Sequence, residues 1–348
     1  MSIGKVVSMS SRLVTAIAPS SKPFFEKLLR QGQLMKRAFY YFNDARLVIK
    51  YMHWEGPEIE HEKLRAELIF QYHKLEKGLC MPGPKRFFGA DPAKATLSLI
   101  RRWHEQGFRK DSTIYLGAIE ALRSYRAHID LYPPQSDGAQ GLAQDIDTLL
   151  KQHLDILVDL RTPMPHGTAL ATDFESLTRL MLLRRSVRSY TSQEVDIGVL
   201  RECINSAQYS PSACNRQPWR VHIYTQADLI TALLQLQNGN HGFGHQLSRL
   251  LIITVDMKSF FDGTERHEPY IDGGLFSMSL ILALQAHGIS SCCLNWCVKP
   301  DTDVKAHLVG AIPEHERIVM YLAVGHAAAD AMVPRSARKG DQEIVQLH

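Results

Sequence analysis

The chain has 348 residues, of which 45% are hydrophobic and 22% charged, with a formal net charge of +4. That length and balance suit one or two globular domains and exclude a disordered, fibrous or strongly polyanion-seeking chain. Six cysteines in so long a chain exclude a disulfide framework, and none stands with His at zinc-finger spacing, so free thiols in a reducing compartment are expected and no metal site is.

The first fifty residues hold nine Lys or Arg against only Glu26 and Asp44. Such a run is either a solvated helix face or a point of peripheral contact with an anionic membrane or polymer through residues 1–50. Val6–Ala18 is mildly apolar, but Arg12 interrupts it and spoils it as a signal peptide. No stretch of about 18 apolar residues follows, so no membrane span and a cytoplasmic location are expected.

Phe24, Phe25, Leu28, Leu29, Met35 and Phe39 recur at helical spacing, which predicts a helix burying that stripe in a core. Further helices are expected over Glu62–Leu79, Ala93–Gln106, Ser112–His128 with Asp111 or Ser112 as N-cap, and Ala143–Leu160. Pro133, Pro134 and Gly138 mark a loop, and Arg161–Gly167 reads as a linker. In the second half, Arg220–Thr225, Leu250–Val255 and Ile318–Val324 are short β-rich runs between helical stretches such as Phe174–Leu183, Val199–Gln208 and Leu275–His287. The pattern gives an all-helical region over residues 1–165 and an α/β or α+β sheet domain over 166–348, of which the resemblance drawn below implies α+β.

Two stretches carry chemistry. Arg184-Arg185-Ser186-Val187-Arg188 sets three guanidiniums and a hydroxyl within five residues, donors that suit a phosphate. Ser210–Trp219 (SPSACNRQPW) gathers small residues and the amides of Asn215 and Gln217, which offer donors and acceptors to a polar ring edge. Each alone is an ordinary surface segment or loop.

Together, in this order and about twenty-five residues apart, they resemble the nitroreductase family of FMN-dependent oxidoreductases. The resemblance spans roughly Phe174 to Arg338. It implies a nitroreductase-like FMN-binding fold working as a homodimer, with the flavin at the subunit interface. It assigns Arg184, Arg185, Ser186 and Arg188 to the FMN phosphate and pyrimidine edge. Pro211, Ser212, Ala213, Asn215 and Gln217 would contact the flavin of the other subunit. Leu294, Asn295 and Trp296, after the helix-ending Gly288, would pass the flavin N5 side, where Trp296 either narrows the pocket or serves as a core aromatic. Arg335 and Arg338 match a basic C-terminal segment at the phosphate.

The activity implied is ping-pong hydride transfer from NAD(P)H through FMN to a small organic acceptor, with no catalytic side-chain nucleophile and no nucleic-acid partner. Two alternatives stay open: a specialised flavoenzyme, and a flavin-binding accessory or scaffold protein in a biosynthetic pathway. The helical first half resembles that of nitroreductase-like proteins of polysaccharide loci. The family's domain-swapped C-terminal arm is expected to be reduced, the helical half taking over part of its covering role. Three features have no role from the resemblance: the Gly239–Gly244 loop, which is not a dinucleotide fingerprint; the polar His73–Lys77 patch, either a helix end or an anionic-substrate pocket; and Asp272, read as a helix N-cap.

Overall fold

The computed structural model describes residues 22–55, 60–134, 140–153 and 162–348. Expectations for Val6–Ala18, Gly138 and the end of the Ala143–Leu160 helix lie outside them. Among the described residues the fold is α+β, with a helical N-terminal part ahead of a single four-stranded sheet.

The chain opens with α1 (Lys22–Tyr51), α2 (His61–Cys80), α3 (Ala90–Glu105), α4 (Thr113–Leu131) and α5 (Gln140–Lys151). Ser112 caps α4, its side chain accepting the Tyr115 N–H, as the sequence predicts. Helices α2 to α5 share one core around Leu68, Leu75, Ile100, Trp103, Tyr125 and Ile146. Gly78 lets α2 end against Phe88, whose ring lies 2.0 Å from where a Cβ would stand.

The second half contains α6 (Ala171–Leu183), α7 (Ile197–Ala207), β1 (Trp219–Tyr224), α8 (Ala227–Leu234), β2 (Arg249–Asp256), α9 (Glu268–Ala286), β3 (Ser290–Asn295), α10 (Pro300–Gly310) and β4 (Glu316–Gly325). The strands lie in the order β1-β2-β4-β3 and every pair is antiparallel. Central β2 is apolar along almost its whole length because both faces are covered. Leu250 and Ile252 face the core shared with α8 and α10, and Leu251 and Ile253 face the core shared with α7 and α9.

Helix α1 corrects one expectation. Its Met35 and Phe39 are 75% and 63% exposed, so this part of the stripe is no core face, while the side chains of Phe24, Phe25, Leu28 and Leu29 lie outside the described ones. Among its described side chains the helix buries only its last turns: Leu47 and the following Met52 pack on Met257 and Phe260 of the sheet domain. Arg46, Lys50 and Tyr51 converge on Glu314 at 2.9, 2.6 and 2.5 Å, which holds that carboxylate down at about 2. Lys258 pairs with Glu60, and the Trp54 indole N–H donates to the Lys258 carbonyl at 3.0 Å. The helical part is therefore fastened to the sheet domain by apolar packing, ion pairs and a directed hydrogen bond.

Candidate active site

Arg184 caps the C-terminus of α6, where the chain turns extended to meet the sheet. Ser186 bridges Ser291 of β3 in parallel, and the Val187 N–H donates to the Ser291 carbonyl at 3.1 Å. The buried Tyr190 locks the segment, its hydroxyl donating to the Val187 carbonyl at 2.8 Å. The first motif thus meets the outer edge of β3 at Ser291, on the strand that leads on to Leu294 and Asn295, the third motif. Arg184 and Ser186 are half-buried and Arg188 is exposed. Among the described residues no acidic side chain pairs with Arg184, Arg185 or Arg188; Arg185 and Arg188 donate only to the backbone carbonyls of Arg184 and Ser186. Three unneutralised guanidiniums beside a serine hydroxyl fit a phosphate monoester such as that of FMN.

The second motif forms the turn into β1 and is wired tightly. Cys214, Asn215 and Gln217 all adopt positive φ, at 51°, 55° and 51°. Left-handed backbone is uncommon outside glycine, so three such residues in four need support. Asp272 accepts the Ala213 N–H, Ser212 Oγ accepts the Gln217 N–H at 3.0 Å, and the Gln217 amide donates to the Asn215 carbonyl at 3.1 Å. The buried Arg216 donates from Nε to the Ala213 carbonyl at 2.9 Å and from both Nη atoms to Glu265, at 3.0 and 2.5 Å. Pro211 and Asn215 stay exposed on the outer side of the turn.

Asp272 is the second correction. It lies inside α9, whose N-cap position is His267, and it serves the motif turn across the fold. Burial is the largest influence on its carboxyl and pushes it up to about 7, against the opposing Ala213 hydrogen bond.

Strand register shows how far apart the motifs lie. Trp219 at the start of β1 pairs with Val255, whereas Ser291 of β3 pairs with Val324, whose partner on β2 is Arg249. The two motifs occupy diagonally opposite corners of the sheet. Strand geometry makes that about 14 Å across the strands and about 20 Å along them, a separation of roughly 25 Å.

The remaining residues divide. The Trp296 ring stacks on Tyr321 at 4.5 Å and its Nε1–H donates to Asp303 at 2.7 Å, so its side chain is committed to the core. Arg335 and Arg338 lie exposed in the C-terminal tail, and Arg338 donates to the Ser336 carbonyl at 2.6 Å. The tail leaves beside the first motif, since Thr191 and Ala328 exchange backbone hydrogen bonds with His326 and Ser189. Among the described residues neither arginine is hydrogen-bonded or paired to the Arg184–Arg188 segment. The Gly239–Gly244 loop folds inward on Phe243, and the neighbouring Gln237 amide donates to the Asn295 carbonyl at 3.0 Å, so the loop abuts the end of β3. Two members of the polar patch on α2 have partners on the same helix: His73 bonds Glu76 at 2.9 Å and Lys74 bonds Gln71 at 3.2 Å.

Residues 182–240 match the Nitroreductase family, a span that contains both motifs whole. That match places a nitroreductase-family segment within the C-terminal half of the chain. Among curated relatives, Nitroreductase NfnB of Mycolicibacterium smegmatis is 26% identical over 204 residues, covering 46% of this chain and 86% of that protein. Iodotyrosine deiodinase of Nematostella vectensis is 22% identical over 231 residues, covering 53% and 82%. A nitroreductase family protein of known structure from Streptococcus pneumoniae aligns with 49% of this chain and 99% of its own, at 20% identity and a TM-score of 0.42. Each of these alignments covers about half of this chain. No helix among the described residues is long and apolar enough to cross a membrane.

Sequence reasoning missed Trp54 and Phe70 as parts of the site's support, and gave Asp272 a different task.

Proposed function

We infer that the chain is an FMN-dependent oxidoreductase that takes reducing equivalents from NAD(P)H and passes them to a small organic acceptor. The observation that carries this reading is the family match over residues 182–240, which contains both the unneutralised Arg184–Arg188 segment and the Ser210–Trp219 turn. When bound, FMN supplies a hydride carrier that serves both half-reactions in one pocket.

The chain's own residues bind and orient. Arg184, Ser186 and Arg188 hold the phosphate and the pyrimidine edge, and a guanidinium near that edge favours negative charge on the ring. Arg335 and Arg338 reach the phosphate from the tail. The β3 edge at Leu294, Asn295 and Trp296 offers backbone donors towards the ring's reactive side. Pro211, Ser212, Ala213, Asn215 and Gln217 contact the flavin of a second subunit. The separation of roughly 25 Å between motif corners supports that arrangement, because one chain cannot bring both corners to one ring system. Exposed Phe174, Leu177 and Met181 of α6, with Tyr270, Ile271, Leu275 and Met278 of α9, supply an apolar face for a homodimer.

A second reading is favoured by the helical addition and by the similarity to iodotyrosine deiodinase. Here the same domain serves one dedicated acceptor rather than many. Steady-state turnover of FMN-loaded protein with NADH or NADPH, against a panel of nitroaromatics and quinones, tests both. Fast turnover with parallel double-reciprocal lines supports a generalist ping-pong enzyme, and NAD(P)H oxidation that is slow with every panel acceptor supports the dedicated one. Failure of NAD(P)H to reduce the loaded protein at all would overturn both.

A further inference from the structure

We propose that Trp54 and Phe70 of the helical half are positioning residues for the flavin site: they close an aromatic box around the Arg216–Glu265 pair and so fix the 211–217 turn. The consequence for flavin rests on the reading above, whereas the brace itself does not.

The geometry is specific. The Arg216 guanidinium carbon lies 4.9 Å from the Phe260 ring centroid and 5.9 Å from those of Phe261, Trp54 and Phe70. These are cation–π distances. Trp54, Phe70 and Phe261 also pack on one another, each pair with centroids 5.4 to 5.5 Å apart. Two of the four walls come from the sheet domain and two from the helical half. Trp54 is held in turn by its hydrogen bond to the Lys258 carbonyl, and Phe70 by the Lys74 ammonium 3.9 Å from its ring centroid.

Arg216 is where the box acts on the turn. Its Nε bond to the Ala213 carbonyl and its fork onto Glu265 close a ring of bonds around three residues of left-handed backbone. Glu265 also accepts the Phe261 N–H at 3.0 Å, so the pair holds the 261–265 loop as well. A paired arginine is strongest where water is excluded and every donor is used. Without Trp54 and Phe70, one side of the pair would face solvent, water would compete for Glu265, and the strained turn would gain access to other conformations. The helical half thereby acts on the cofactor site without touching the cofactor.

Two measurements on the full-length chain test this. In Trp54→Ala and Phe70→Ala, hydrogen exchange at the Ala213 and Gln217 amides is expected to speed up at least tenfold, while amides in α3 to α5 keep their protection. FMN affinity is expected to fall at least tenfold in the same variants and to return within about threefold in Trp54→Phe and Phe70→Tyr, which keep a ring. If an alanine variant unfolds, Phe70→Leu carries the same comparison, because it keeps apolar volume and loses the π face. Unchanged exchange in the turn overturns the brace. Accelerated exchange with unchanged FMN affinity overturns its link to the cofactor. An unaltered chain that takes up no FMN, while the exchange effect is present, counts against the flavin reading and leaves the brace established.

Discussion

Asp272 accepts the Ala213 N–H through both carboxyl oxygens, at 3.1 and 3.2 Å, reaching from the first turns of α9 to the turn before β1. The two residues are 59 positions apart, and their contact ties the apolar helix to the loop proposed to meet a second subunit's flavin. Burial raises this carboxyl to about 7 from an ordinary 3.8.

The linkage has a definite sign. A carboxyl whose pKa is raised on folding binds its proton more tightly in the folded state, so its contribution is complete below about pH 4 and is lost as pH rises through about 7. Asp272→Asn keeps an acceptor for Ala213 and removes the ionisation. Urea unfolding at a series of pH values should therefore show stability falling between pH 4 and 7 less steeply in the variant than in the unaltered chain. Identical slopes would mean that Asp272 does not titrate in this range.

Breaking the Arg216–Glu265 pair from the acidic side leaves a guanidinium of 0% side-chain exposure without its counter-charge. Glu265→Ala should cost about 3 kcal/mol in denaturant unfolding, the usual scale for stranding one member of a buried pair. A loss under about 1 kcal/mol would show that the pair is well hydrated.

Trp296→Phe should preserve the stack on Tyr321 and lose the 2.7 Å bond to Asp303, lowering stability by about 1 to 2 kcal/mol. Because the ring is committed to the core, the order of preference among acceptors should not change. A reordered acceptor profile in steady-state assays would return Trp296 to the pocket wall.

Gly325 ends β4 where an added Cβ would stand 2.6 Å from the Tyr190 ring, the ring whose hydroxyl holds Val187. Gly325→Ala should destabilise by about 1 to 3 kcal/mol through overpacking. It should also weaken FMN uptake, because Val187 lies inside the first motif. Thermal melting and flavin titration on the same variant separate the two effects.

What was legible in the sequence follows from where local pattern decides structure. The apolar runs LLIITV of β2 and IVMYLAV of β4 named their strands because both faces are apolar. Ser112 announced its helix, since a cap is a local hydrogen bond. The edge strand SSCCLN did not stand out among the β-rich runs, because most of its residues are small or weak strand formers. The apolar stripe on α1 predicted the helix and misjudged the burial of Met35 and Phe39: periodicity shows that a face exists and not what covers it. The two motifs stood out because their chemistry is concentrated in a few consecutive residues. Their support did not, since Arg216 meets Glu265 49 positions away and Trp54 at greater distance still, contacts that only the tertiary fold creates.

A mixed dimer tests the division of the site between subunits. Arg184→Glu and Asn215→Asp chains should each bind FMN poorly alone. Co-purified as a mixed dimer, they should regain about one site in two, since one interface then carries both intact motifs. No recovery would place both motifs at one flavin within one chain.

The most direct measurement is a spectral titration of the purified full-length chain with FMN, followed by NAD(P)H without oxygen. Saturable uptake near one FMN per chain, with an oxidised-flavin spectrum that bleaches on adding the nucleotide, is the predicted result. A colourless protein that takes up no added FMN would contradict the assignment of Arg184, Ser186 and Arg188 to a flavin phosphate site.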